Sequence, residues 1–364
     1  MTTTVKRAYN LNAGPSALPL EVLQKAQEEL VDFKGAGMSV MEMSHRSKEY
    51  DEVHTEAIAR LKKVFAIPDN YEVLFLQGGA SLQFTMLAMN FLKEGQTASY
   101  VQTGSWSEKA FKEAKLLGDA KIIASSKDNN YKNIPTFDEL TFSKEDAYVH
   151  ITSNNTIFGT EWADFPDTGD VPLIADMSSD ILSRPVDVSK FAMIYAGAQK
   201  NLGPSGVTVV IIRKDFLETA ADNIPTMLKY KTHAEKNSLY NTPPTFGIYM
   251  LGEVLKWVEA QGGVEAIATR NEEKAALIYN VIDRSEGFYT GHAVEGSRSL
   301  MNITFRVADE KLEKQFLAEA KEAGFVGLSG HRSVGGCRAS TYNAVPVETC
   351  EALATFMKDF QAKH

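Results

Sequence analysis

Lys200 sits in the stretch YAGAQKNLGPSG, residues 195–206, after the apolar run FAMIYAGA and before a turn-forming NLGPSG. An ammonium at the end of a buried strand is costly to desolvate unless it is paired, neutralised or used covalently. Asp176 ends a second apolar run, VPLIAD, and is followed by Met177, Ser178 and Ser179. A third run, YEVLFLQ, leads into Gly78, Gly79, Ala80 and Ser81 and then a helical pattern. That arrangement aims free backbone N–H groups and a helix dipole at an anion. Singly, each feature has an ordinary explanation: a lysine whose stem packs while its head reaches water, a turn or cap acid, a glycine turn with an N-cap serine. Together they match what pyridoxal phosphate requires, a Schiff-base amine, a carboxylate for the pyridinium nitrogen and a phosphate cradle. The cup is not a Walker loop, because the GK[ST] ending is missing, and no G-x-G-x-x-G follows an early strand.

The elements that must hold these residues alternate in type. Helical spacing runs through 20–33 and 50–65, then through 82–92 and 107–117. Buried-strand runs lie at 71–76, 97–101, 120–125, 147–152, 171–176, 192–197 and 207–212. This is an α/β pattern, a mainly parallel seven-stranded sheet sandwiched by helices, and such sheets collect ligands beyond the carboxyl ends of their strands. From about residue 246 the rhythm changes to two long helical patterns, 246–260 and 263–284, separated by the breaker QGG. LMNITFRV, a helix near 310–323, CRASTYNA and a closing helix then read as a smaller α+β unit. The expected division is a large cofactor-binding domain over 16–262 and a small domain made of 1–15 and 263–364.

Composition narrows the function. With 38 basic and 47 acidic residues the chain carries a formal charge of -9, which argues against a nucleic-acid partner and requires any anionic ligand to be held by locally placed cations. Two cysteines, Cys337 and Cys350, offer no disulfide framework, so a reducing cytoplasm is the expected compartment. The N-terminal residues lack the apolar core of a secretory leader. No stretch reaches the ~20 apolar residues of a membrane span, so no membrane partner is expected. No metal site is expected either.

The chain resembles the phosphoserine aminotransferase family, within the aspartate-aminotransferase-like, fold type I group of pyridoxal-phosphate enzymes. The resemblance runs from YNLNAGPSALP through EMSHRSKEY, LFLQGGASLQF, TGSWS, SNNTIFGT, IADMSSD, AGAQKNLGPSGV and YNTPPTFGIYM to GHRSVGGCRASTYNA. It implies that Lys200 carries the cofactor in a Schiff base and moves the proton between the substrate Cα and the cofactor. It also implies that Asp176 pairs with the pyridine nitrogen, and that Ala80, Ser81 and Gln199 contribute to the phosphate site. Trp106 stacks on the ring, and Thr156 donates to its phenolic oxygen. Asn241 and Thr242 reach a cofactor phosphate across a subunit interface, which implies a homodimer with composite sites. Without the resemblance, Trp106 reads as a core tryptophan and Thr156 as a turn threonine.

Two histidine–arginine pairs, His45–Arg46 and His331–Arg332, and Arg338 beyond the second, have the forks and donors that fit carboxylate and phosphate. The resemblance gives Arg338 the substrate α-carboxylate and the other four the phosphate or distal carboxylate. The implied reaction is reversible transamination between O-phospho-L-serine and 2-oxoglutarate, giving 3-phosphohydroxypyruvate and L-glutamate, in L-serine biosynthesis. Two alternatives share the cofactor: an aminotransferase for another small amino acid, and a cysteine desulfurase with Cys337 as nucleophile. A phosphometabolite-binding α/β protein without covalent chemistry is the alternative from a different class.

Overall fold

The computed structural model describes residues 6–364; the first five residues of the stretch expected in the small domain lie outside the described residues. The central sheet has seven strands, β1 (Tyr71–Leu76), β2 (Thr97–Gln102), β3 (Asp119–Ser125), β4 (Tyr148–Thr152), β5 (Leu173–Asp176), β6 (Met193–Gly197) and β7 (Thr208–Arg213). Their spatial order is β1-β7-β6-β5-β4-β2-β3, and only β7 runs against the rest. The reason is the connection: ten residues separate β6 from β7, too short for a crossover, so the chain must return antiparallel beside the strand it left. Lys200 lies in that return.

These strands read as near-continuous apolar runs because both sheet faces are covered. Along β1, Val73 and Phe75 join one core while Leu74 and Leu76 join the other. The same two-residue alternation splits Ile194 and Ala196 of β6 from Met193 and Tyr195. One face is closed by α2 (Lys48–Val64) and α5 (Thr245–Ala260), through Leu61, Ile248, Leu251 and Leu255. The other is closed by α3 (Gly79–Phe91) and α4 (Ser105–Leu117), through Phe84, Leu87, Phe91 and Ala110.

Two helices differ from the sequence expectation by more than two residues at one end. The first, α1, covers only Leu20–Glu29 rather than 20–33, because Asp32 takes an extended φ of -138 and its carboxylate accepts the Gly37 N–H at 2.7 Å. The third begins at Gly79 rather than Leu82, because Gly78 and Gly79 adopt φ values of +87 and +63 and turn the chain at once. A Cβ on Gly78 would lie 2.6 Å from Leu82 Cβ, so glycine is required there.

The remaining chain builds a smaller α+β unit. Strands β8 (Tyr289–Gly291), β9 (Asn302–Val307) and β10 (Cys337–Ser340) form an antiparallel sheet in that order. It packs on α6 (Gly263–Asp283), α7 (Glu310–Glu322) and α8 (Val347–Lys363) through Ile278, Phe305, Phe316 and Met357. Tyr9–Asn10 pairs in parallel with Phe325–Val326 of this unit. The chain from Ala13 to Ser16 then crosses to the central sheet, where Ser16 N–H donates to Gln199 O at 2.9 Å.

Candidate active site

The carboxyl ends of β1, β4, β5 and β6 open onto one cleft of about 310 Å³. It brings together Ala80, Ser81, Trp106, Thr156, Asp176, Gln199, Lys200, His331 and Arg338, nine of the residues singled out by sequence. Each is placed by a local device. The N–H groups of Gly79, Ala80 and Ser81 precede the first α3 bond, in which Leu82 N–H donates to Gly78 O, and so face the cleft without a helical acceptor. Ser107 Oγ accepts the Thr103 and Gly104 N–H groups at 2.9 and 3.0 Å, fixing the turn that presents Trp106. Thr156 lies on the turn between Asn154–Asn155 and Thr160–Glu161. That turn needs Gly159, at φ +72, where a Cβ would meet Asn302 O at 2.6 Å.

Lys200 Nζ donates to Thr156 Oγ1 at 2.7 Å, and Arg338 Nη1 donates to the Thr156 main-chain oxygen at 3.2 Å. Burial pulls the Lys200 ammonium down to about 8, with Asp176 opposing and Arg338 adding to the fall. Asp176 moves the other way: burial raises its carboxyl, against the pull of Ser178 and Lys200. Its Oδ1 accepts from Ser178 N–H at 3.0 Å and Ser178 Oγ at 2.6 Å, which leaves Oδ2 free toward the cleft. His331 is held below its usual range by burial and by the nearby cations Arg338, Arg332 and Lys109.

The cleft fits a polar aromatic ring carrying a phosphate. Trp106 Nε1, Arg338 Nε and Thr152 Oγ1 are buried around it with no partner of their own. A carboxylate, an amine of lowered basicity, an indole and a helix start with free N–H groups are the donor set that pyridoxal phosphate takes.

Five predicted residues do not line the cleft. Asn241 donates from Nδ2 to Gln77 Oε1 at 3.1 Å, and Thr242 beside it is exposed. Arg46 and Arg332 are exposed, and His45 is half-buried with an unpartnered Nε2. Sequence reasoning also passed over residues that do line it, among them Ala13, Gly14, Asn154 and Ser178. All four lay inside YNLNAGPSALP, SNNTIFGT and IADMSSD, stretches that carried the family resemblance. Cys337, the nucleophile of the desulfurase alternative, is on β10 in the small core, where burial pushes its thiol upward, away from the reactive thiolate. Among the described residues no helix is long and apolar enough to cross a membrane, and no cluster of histidine, cysteine or carboxylate is placed to hold a metal.

The model of the class-V aminotransferase family matches residues 8–353. A phosphoserine aminotransferase of Lysinibacillus sphaericus is 75% identical over 359 residues, 99% of each chain. The solved phosphoserine aminotransferase of Bacillus circulans subsp. alkalophilus is 60% identical and superposes with a TM-score of 0.97 over 99% of both chains. A pyridoxal-phosphate-bound phosphoserine aminotransferase from Trichomonas vaginalis is 40% identical, with a TM-score of 0.92 over 97% of this chain and 100% of that one. Identity at this level across nearly the whole length, on a cleft whose amine, acid and anion cup meet at the strand ends, makes this chain a member of the phosphoserine aminotransferases within the class-V aminotransferase family.

Proposed function

We propose that this chain binds pyridoxal 5'-phosphate and catalyses reversible amino transfer between O-phospho-L-serine and 2-oxoglutarate, yielding 3-phosphohydroxypyruvate and L-glutamate, in L-serine biosynthesis. The observation that carries it is the convergence on one cleft of a buried amine lowered to about 8 with a buried carboxylate. Bound there, the cofactor supplies an electron sink for the bond broken at the substrate Cα. The two substrates use the site in turn, so ping-pong kinetics are expected.

Lys200 holds the cofactor covalently, then serves as the base that takes the Cα proton, a duty suited to an amine whose lowered basicity makes a neutral fraction available near physiological pH. Asp176 offers its free oxygen to a protonated ring nitrogen. Trp106 supplies a flat face for the ring. Thr156 Oγ1, which accepts from Lys200, has its own hydroxyl hydrogen for the phenolic oxygen. Ala80 and Ser81 turn N–H groups to the phosphate, and Gln199 adds a side-chain donor. Arg338 takes the α-carboxylate. His331 and Arg332, with His45 and Arg46, take the phosphate in one half-reaction and the γ-carboxylate in the other.

Asn241, Thr242, His45 and Arg46 belong to this scheme as contributions from a second copy, in a homodimer with composite sites. The exposed Leu30, Val31, Met38 and Met41 beside His45 favour that reading, since they offer apolar surface for a partner. The two units correspond to a large domain over 16–262 and a small one from 1–15 and 263–364, and the compartment is the cytoplasm. Rates with phosphoserine and with serine test the substrate: a strong preference for the phosphorylated donor is expected, and indifference to the phosphate refutes the assignment.

A further inference from the structure

Behind Asp176 the interior buries two further carboxyl groups, Asp180 and Glu161, that the proposed reaction does not use. Asp176, Asp180 and Glu161 are each only 5% exposed there. The cations facing this cluster are Arg184, on the Glu161 side, and Lys200, on the cleft side, and the Tyr342 and Tyr279 phenols also face it. With Asp176 opposite Lys200 at the cleft, the two deeper carboxylates, Asp180 and Glu161, share one cation, Arg184, and two anions against it would leave an uncompensated negative charge in a dry interior, which is strongly unfavourable.

Hydrogen bonding identifies the group that carries the extra proton. Burial raises the Glu161 carboxyl too, but Glu161 has more support as an anion: Leu300 N–H donates to its Oε2 at 2.8 Å, and Arg184 Nε lies 3.2 Å from its Oε1 as an ion pair without hydrogen-bond geometry. Asp180 has no such support, and its carboxyl group meets Ser153 Oγ. Ser153 Oγ is also 3.0 Å from the main-chain oxygen of Asp176, a group that can only accept. One hydroxyl hydrogen cannot serve both neighbours. If Ser153 donates to Asp176 O, the hydrogen between Ser153 and Asp180 must come from Asp180.

We propose that Asp180 is a neutral carboxylic acid in the folded protein, donating to Ser153, which in turn donates to the main-chain oxygen of Asp176. Asp180 is thus a positioning residue. It adds to the Ser153 N–H, which donates to the same oxygen at 3.0 Å, in holding the end of β5 without placing a second anion beside Asp176, so that Lys200 gives up its proton more readily than it would above two carboxylates. Burial, reinforced by Glu161, raises the Asp180 carboxyl to about 8, against the pull of Arg184 and Ser153. The consequence for Lys200 rests on the function proposed above; the proton count does not.

The infrared C=O stretch of a protonated carboxylic acid tests the proton directly in the full-length purified protein. A band is expected at neutral pH that titrates away around pH 8, disappears in Asp180→Asn, and moves to higher frequency in Ser153→Ala, where the acid has lost its acceptor. Because an asparagine N–H can replace the acid hydrogen toward Ser153, Asp180→Asn is expected to keep kcat within about threefold at neutral pH. A band that survives Asp180→Asn, an unshifted band in Ser153→Ala, or a fall in kcat of more than about tenfold in Asp180→Asn overturns the proposal. If Asp180→Asn does not fold, the Ser153→Ala shift decides. The substrate comparison above fails or succeeds independently of this band.

Discussion

Ser16 Oγ donates to the main-chain oxygen of Lys200 at 2.7 Å, joining residues 184 positions apart. Beside it, Gly14 at φ +144 passes so close that a Cβ would lie 3.3 Å from Lys200 Cε. The segment therefore acts as a template for the lysine stem. Gly14→Ala is expected to lower kcat by about tenfold while leaving the thermal transition within a few degrees, since small misplacements of a reacting group are costly. Single-turnover kinetics with phosphoserine check it, and an unaltered rate would remove the template role.

The lowered basicity of Lys200 sets a pH profile. Below about 8 its amine is mostly protonated, so the neutral fraction rises about tenfold per pH unit and levels off above that value. Uptake of pyridoxal phosphate by the cofactor-free chain should follow this curve. Arg338→Gln removes a repelling charge and should move the curve to higher pH. Lys200→Ala should abolish the covalent absorption band and cut transamination by at least about a thousandfold.

Asp176→Asn keeps the shape but loses the negative charge that the proposed scheme turns to the ring nitrogen. The expected result is a fall in kcat of about a hundredfold or more, with a much smaller change in cofactor affinity. Equal losses in the two quantities would assign Asp176 to cofactor retention instead. Half-reaction rates and cofactor titration measure the split.

Composite sites can be tested by mixing. Lys200→Ala and Arg46→Ala chains are each expected to be nearly inactive alone. If Arg46 serves the other copy's cleft, a mixed dimer concentrates both defects in one site and leaves the second intact, so co-expression restores about a quarter of wild-type activity on statistical mixing. No recovery in the mixture would place Arg46 in its own chain's site.

Lys274 is fully buried, and its ammonium donates to the main-chain oxygens of Thr341, Tyr342 and Val345 at 2.9, 2.7 and 3.2 Å. Those residues follow β10, which carries Arg338, and Asn343 between them donates its N–H to Asn201 Oδ1 at 3.0 Å. Lys274→Met removes the ammonium donor from three buried main-chain oxygens, of which the Tyr342 oxygen keeps the Val345 N–H at 2.9 Å. A loss of about 2–4 kcal/mol in unfolding free energy is expected by urea denaturation, with the covalent absorption band retained in the fraction that stays folded.

The seven sheet strands were legible because strands covered on both faces appear as unbroken apolar runs, and the residues with reactive side chains punctuate their ends. Lys200, Asp176 and the glycine cup needed no more than that. The start of α3 was not legible, because apolar periodicity begins at Leu82 whereas the helix starts as soon as Gly78 and Gly79 have turned the chain. The crossing by residues 13–16 has no periodicity to reveal it, and its hydrogen bonds reach Gln199 and Lys200. The Ser153–Asp180 contact is equally invisible in sequence, since it depends on the register of β4 and β5. The positions of His45, Arg46, Asn241 and Thr242 outside the cleft illustrate a different limit: motifs along one chain do not show which side chains its own folding brings to one cleft.

The stretch from Tyr9 to Ser16 is made early in synthesis, yet its partners are made late. Leu11 N–H donates to Val326 O at 2.8 Å, and the Ala13 oxygen accepts from Tyr342 Oη at 2.8 Å. The wall that holds the Lys200 stem therefore needs residues on both sides of Lys200 in the chain, as far as Tyr342. Synthesis that has passed Lys200 but not Tyr342 leaves the amine without this template, so the geometry around the lysine is assembled after the lysine itself is made.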